Sequence, residues 1–249
     1  MAIQTSHVGS LPRSQKVVDY IFAREKGEDY NEIEFDQVMT EAVNDTVRRQ
    51  KKAGITIVSD GETSKISYAT YVKDRYHGFA GDSPRNAPAD LKKFPNYLQK
   101  LANDGGTPKY ARPMCVSKLE PKKNDDLIKD IDNLKKALKG NDIKKGFMNA
   151  ASPGVISLFL QNDYYPSRED YLEALSSLMQ FEYEMIVKSG LDLQIDCPDL
   201  ALSRHMLFND MSDDEFVKVA SINIESLNNA LRNIPKDKIR IHICWGNYE

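Results

Sequence analysis

Ile239-Arg240-Ile241-His242-Ile243-Cys244-Trp245-Gly246-Asn247 sets apolar against polar residues at period two. Such a pattern reads as a strand, in which residues i and i+2 share a side, so His242 and Cys244 point the same way. An imidazole and a thiol together at a strand end, ahead of the turn-forming Gly246-Asn247, make half of a zinc site. A buried histidine and an inert cysteine in a core strand explain His-x-Cys more simply, because a two-residue spacing is a weak motif. The other segments of the chain have to decide.

Upstream, strands and helices alternate. Leu191-Asp192-Leu193-Gln194-Ile195-Asp196 reads as a strand, and so does Phe147-Met148-Asn149-Ala150-Ala151, which breaks into the small-residue loop Ser152-Pro153-Gly154. Tyr110 to Val116 is a further candidate, as is the β-branched run Ile55-Thr56-Ile57-Val58, which stops in Ser59-Asp60-Gly61-Glu62. Thr5 to Val8 forms the first, breaking at Gly9-Ser10. Helical spacing links Phe35, Val38, Met39, Ala42, Val43 and Val47 up to Gly54, and again Leu127, Ile131, Leu134 and Leu138 within Asp126 to Leu138. Ser167-Arg168-Glu169-Asp170 and Ser212 to Glu215 look like capping boxes opening helices that stop near Gly190 and Pro235. Residues 63–108 hold many aromatics, the breakers Gly81, Pro84 and Pro88, and one helix near Leu91 to Leu101; they are expected to form a long loop or lid inserted in the domain.

Six strands alternating with helices predict an α/β fold with a parallel sheet, wrapped as a barrel or a doubly wound sheet. No Gly-x-Gly-x-x-Gly follows any strand, which disfavours the dinucleotide-binding version. Polar residues collect at strand C-terminal ends: Ser10, Asp60, Glu62, Asn149, Asp196, His242 and Cys244. In a barrel these ends converge on one mouth.

The 249 residues, 41% hydrophobic and 29% charged, suffice for one large domain. A net charge of −3 leaves no basic excess for a nucleic-acid backbone, and the Lys-rich stretch Lys118 to Lys145 is interleaved with Asp and Glu. No signal-like or membrane-spanning apolar run occurs. Three cysteines at no regular spacing argue against a disulfide framework and for a reducing compartment, so the cytoplasm is the expected location.

Four pieces together carry a resemblance: His7-Val8-Gly9-Ser10-Leu11-Pro12-Arg13, Ser59-Asp60-Gly61-Glu62, Gln194-Ile195-Asp196 with Pro198, and His242-Ile243-Cys244. In this order, across essentially the whole chain, they resemble the cobalamin-independent methionine synthase family. The resemblance implies a TIM (β/α)8 barrel of the type shared with uroporphyrinogen decarboxylases, and a zinc ion that activates a thiol. It implies methyl transfer from 5-methyltetrahydrofolate, as the polyglutamate, to homocysteine, with no cobalamin. His242 and Cys244 fall on two of the four zinc ligands. Val8, Ser10, Glu62 and Asp196 fall on homocysteine contacts, the two carboxylates holding the amino group through charge-assisted hydrogen bonds. Gln161 to Tyr165 lies where the family stacks its methylfolate. Both carboxylates are expected to stand away from the His-x-Cys pair, so that substituting them weakens acceptor binding and leaves the metal alone.

The chain departs from the family at Cys197-Pro198-Asp199, where Glu-Pro-Ala is usual, and Cys244-Trp245-Gly246-Asn247 resembles the epoxyalkane:coenzyme M transferases, so a different thiol alkyltransferase is the alternative. A metal-free decarboxylase-like barrel would need Arg13 and Arg204 at the mouth, and a binding-only barrel is the third option. Cys115 and Cys197 read as small core residues, and His7, His77 and His205 as bland. The partners implied are a small thiol and a methyl donor, with no nucleic acid and no membrane; a homo-oligomer is left open. Residues 1–249 are expected to be a single barrel domain reaching about six of eight βα units, with the other zinc ligands beyond Glu249 and the fragment alone inactive.

Overall fold

The computed structural model describes residues 3–83, 88–104, 110–123 and 125–246; the expected breaker Pro84 and the turn residue Asn247 lie outside these. Ser14 caps the first helix, α1 (Gln15–Lys26), by accepting from the Val17 amide, and Gly27 ends it in a left-handed conformation. Asn31 caps α2 (Glu32–Lys52), whose buried Phe35, Val38, Met39, Val43 and Val47 recur at helical spacing. A short α3 (Val72–Arg75) runs into β1 (Tyr76–Ala80), and α4 (Pro95–Asp104) precedes β2 (Met114–Pro121) and α5 (Asp125–Gly140). The parallel part then follows as β3 (Phe147–Ala151), α6 (Pro153–Phe159), α7 (Arg168–Lys188), β4 (Asp192–Asp196), α8 (Leu202–Met206), α9 (Asp213–Leu231) and β5 (Ile239–His242).

Strands β3, β4 and β5 pair in parallel in that order. Their register sets Ala151 beside Asp196 and Asp196 beside His242, so the polar ends of β4 and β5 stand side by side, while Asn149 of β3 lies beside Gln194. Two neighbours extend the arc without forming full strands. Val58 bridges Gly146 in parallel, and the Thr56 and Ile57 amides donate to the Thr5 carbonyl. The first two expected strands are thus extended segments tied in by isolated bonds.

Tyr110 to Val116 is not part of the parallel sheet. Strand β2, Met114–Pro121, pairs antiparallel with β1 in a separate two-stranded sheet, so the expectation of six strands in one parallel sheet is corrected. The cause is visible in the side chains. β3 is buried along its whole length, as a parallel strand covered on both faces requires. β2 carries exposed Ser117, Lys118 and Glu120, which only a half-solvated pair accommodates. Residues 63–108 hold α3, β1 and α4, and four helices went unpredicted, α1, α6 and the short α3 and α8. The larger core joins β3 and β4 to α5, α7 and α9 through residues such as Leu134, Met148, Tyr183 and Ile195, and a second cluster packs Val17, Ile21 and Phe22 of α1 on Phe35 and Val38 of α2.

Candidate functional site

Glu62 reaches the site through a tight turn. Gly61 and Glu62 both take positive φ, 67° and 55°, the left-handed region that costs a residue with a side chain. Local bonds hold the turn: the Gly61 amide donates to Ser59 Oγ at 3.2 Å, the Glu62 amide to Asp60 Oδ1 at 3.1 Å, and Thr63 Oγ1 to the Asp60 carbonyl at 2.6 Å. Asp60 therefore shapes the backbone under Glu62. The Glu62 side chain is 2% exposed and accepts from Ser10 Oγ at 3.0 Å. Burial pushes its carboxyl pKa up; the Lys65 ammonium opposes the shift, while Asp196 and Asp60 add to it.

Asp196, at the end of β4, accepts from Asn149 Nδ2 on Oδ2 at 3.0 Å and from Gln194 Nε2 on Oδ1 at 3.1 Å. His242 Nδ1 lies 3.1 Å from the same Oδ1. An ionised carboxylate only accepts, so the ring proton sits on Nδ1 and Nε2 is the free nitrogen. That hydrogen bond raises the His242 pKa, against the lowering effect of burial.

Val8, Ser10, Glu62, Asp196, His242 and Cys244 all line one cleft of about 680 Å³. The structure thus brings together the expected acceptor contacts and the two expected zinc ligands, whereas Tyr164 and Tyr165, of the stretch expected to meet the methylfolate, line a different cavity beside Lys118 and Leu119. It also corrects one expectation: Asp196 does not stand apart from the His-x-Cys pair but bonds directly to His242. Cys244 is a free thiol, partly exposed. Imidazole and thiolate are donors that zinc takes, and a carboxylate on the distal ring nitrogen is how metal-bound histidines are usually oriented, so the pair fits zinc. Among the described residues no group of three or more His, Cys, Asp or Glu side chains is placed to hold a metal.

The mouth of the cleft is aromatic, with Tyr68, Tyr110, Phe159 and Trp245. Tyr68 meets Phe159 edge to face at 5.7 Å, and Arg112 lies over the Phe159 ring at 5.0 Å. Arg112 Nε is buried and meets no hydrogen-bond partner among the described residues. Sequence reasoning missed Arg112 and Phe159. Arg-Pro after the aromatic Tyr110 was a signal of a kind, but no spacing tied it to the acidic strand ends.

The two arginines that a decarboxylase-like site would need are committed elsewhere. Arg13 donates to the Glu62 and Lys65 carbonyls at 2.6 and 2.7 Å, and Arg204 to the Phe208 and Met211 carbonyls at 2.6 and 2.7 Å. Cys115 and Cys197 are fully buried, as expected of small core residues.

The chain is 24% identical over 247 residues, 99% of its length, to the methionine synthase of Saccharolobus solfataricus, and 27% identical over 248 residues to that of Thermococcus kodakarensis. It spans 64% and 63% of those relatives, less than two thirds of their length. Among solved structures it resembles a B12-independent methionine synthase from Shewanella sp. W3-18-1 in complex with selenomethionine, with a TM-score of 0.66 and 21% identity over 97% of this chain and 61% of that one. It also resembles a putative vitamin-B12 independent methionine synthase from Listeria monocytogenes, with a TM-score of 0.66 and 17% identity over 99% of this chain and 68% of that one. At these identities the structures show a shared α/β fold. No family model matches the chain.

Proposed function

We propose that this chain carries the acceptor site of a zinc-dependent, cobalamin-independent methionine synthase, which moves a methyl group from 5-methyltetrahydrofolate polyglutamate to the thiol of homocysteine. In this reading the parallel arc is part of a (β/α)8 barrel. The reading is carried by one juxtaposition: two buried carboxylates, Glu62 and Asp196, share a cleft with the imidazole of His242 and the thiol of Cys244. Curated relatives named methionine synthase along 99% of the chain support it.

The carboxylates suit an ammonium, which presents three donors and gains most from ionised acceptors in a desolvated site. The Val8–Ser10 loop lies beside them and would hold the other end of an amino acid. His242 and Cys244 would hold zinc, which when bound would keep an acceptor sulfur as thiolate although a free thiol is mostly protonated near neutral pH. In the transfer, sulfur forms a bond to the methyl carbon, the carbon–nitrogen bond of the donor breaks, and the nitrogen keeps the electron pair and takes up a proton. The chain's own contribution is to hold acceptor and donor in line. Arg112 and the aromatic mouth suit a planar donor with an anionic tail. Selenomethionine, the ligand in complex with the Shewanella relative, is an amino acid of the shape this cleft would take as product.

Turnover by the full-length, zinc-loaded protein tests the proposal. Methyltetrahydrofolate triglutamate and homocysteine should yield methionine, and an epoxide with a sulfonated thiol should yield nothing. Turnover with the second pair alone would overturn the reading in favour of another thiol alkyltransferase.

A further inference from the structure

The carbonyl of Val8 accepts two side-chain amides, Gln194 Nε2 at 2.6 Å and Asn149 Nδ2 at 3.1 Å. Each of these NH2 groups also donates to Asp196, Asn149 to Oδ2 and Gln194 to Oδ1. Both amides therefore bridge the same pair, the loop carbonyl and the carboxylate. Their orientation follows from the partners, since a carbonyl and a carboxylate can only accept. The bridge is rigid: Asn149 and Gln194 are each 2% exposed, they sit in register on β3 and β4, and Lys65 Nζ donates to the Asn149 carbonyl at 2.5 Å.

Filling space does not account for Asn149. Its Oδ1 is buried and meets no donor among the described residues, a cost that an apolar side chain of the same size would avoid. The amide is retained for its N–H groups. Gly9 marks the other side of the arrangement, because a Cβ there would stand 2.5 Å from Glu62 Oε1 and 3.1 Å from Asn149 Nδ2. The loop is thus wedged between the Glu62 carboxylate and the Asn149 amide, with Ser10 bonded to the former and Val8 to the latter.

We propose that Asn149 and Gln194 are positioning residues that fix the distance between the Val8–Ser10 loop and Asp196, and so make the site selective for a thiol carrying an α-amino-acid end. The inference rests on the proposed reading of the cleft as an amino-acid thiol site. The loop would meet the acceptor's carboxylate and Asp196 its ammonium; the two amides set the span between them, which matters only to a ligand that binds both.

The test uses Asn149→Leu and Gln194→Met in the full-length, zinc-loaded protein, with homocysteine and 4-mercaptobutanoate, the same thiol acid without its amino group. The wild type should prefer homocysteine. In each variant kcat/KM for homocysteine should fall about 10-fold more than for 4-mercaptobutanoate, mainly through KM, as loss of a hydrogen bond to a charged group implies. Equal falls for both thiols would mean a structural role only and would overturn the inference. A wild type with no preference for homocysteine would instead overturn the underlying reading. If Asn149→Leu does not fold, Gln194→Met and Gly9→Ala put the same ratio to the test, and an unchanged ratio in both would sink the idea.

Discussion

Asp196 and His242 are register partners across β4 and β5, and their side chains meet at 3.1 Å, Oδ1 to Nδ1. One carboxylate therefore serves two neighbours, the imidazole on one side and the amides that fasten the Val8 carbonyl on the other. The acceptor half and the metal half of the proposed site share this residue.

Glu62 has no such bond, which separates the two carboxylates experimentally. Asp196→Asn should weaken homocysteine binding and also lower zinc affinity by about 10–100-fold, the usual cost of removing a ligand's orienting partner. Glu62→Gln should weaken homocysteine binding alone. Calorimetric titration with homocysteine and competition against a zinc chelator read the two effects; an Asp196→Asn variant with wild-type zinc affinity would refute the shared role.

Burial raises the Glu62 pKa above its ordinary 4.5, so its protonated form favours the folded state. The associated stability is present below about pH 4.5 and is lost as pH rises through the raised value. Above that raised value the fold holds a buried charge it would be more stable without. Glu62→Gln should therefore raise the melting temperature near neutral pH, with the gain fading as pH falls toward 4.5. Such an exchange of stability for a charged site is common where function needs the charge. A lowered melting temperature at neutral pH would contradict it.

Of the three cysteines, only Cys244 should react quickly with a thiol reagent in the folded protein. Burial pushes the Cys115 thiol up to about 11 and raises Cys197 as well, and both side chains are fully buried. Titration with an aromatic disulfide near pH 8 should count one fast thiol in the native state and all three in denaturant. A Cys115 that reacts as fast as Cys244 in the native state would show the buried placement to be wrong.

Away from the cleft, Arg75 sits between two buried acids, with Nη2 2.6 Å from Asp130 and Nη1 2.8 Å from Glu182. Tyr71 completes the group by donating to Glu182 at 2.6 Å. Arg75→Met leaves both carboxylates without their cation and should cost about 3–5 kcal/mol in denaturant unfolding. The exposed pair Lys118–Glu120 supplies the contrast: Lys118→Ala should leave the unfolding midpoint nearly unchanged. Equal costs for the two variants would mean that the buried network is not held as described.

Local patterns by themselves determined much of this protein. Helical spacing and caps located α2, α5, α7 and α9, and the capping box of Ser212 with Glu215 is present as read. The runs at β3, β4 and β5 were legible because five or six successive residues suffice to show a strand, and motif residues could be placed at strand ends. Helix α1 went unread although the signal was there, since Ser14 ahead of Val17, Ile21 and Phe22 is a cap before an apolar face. What tertiary structure decided was pairing. A strand-like pattern carries no record of its partner, so Met114–Pro121 was free to pair with Tyr76–Ala80 instead of joining the parallel sheet. Register across β3, β4 and β5 set Asn149 beside Gln194 and Asp196 beside His242, contacts between residues more than forty positions apart. The Asp196–His242 bond, the amide bridge to Val8 and the seat of Arg112 over Phe159 all depend on that placement, because hydrogen bonds and ring contacts act only over a few ångströms and sequence distance does not measure them.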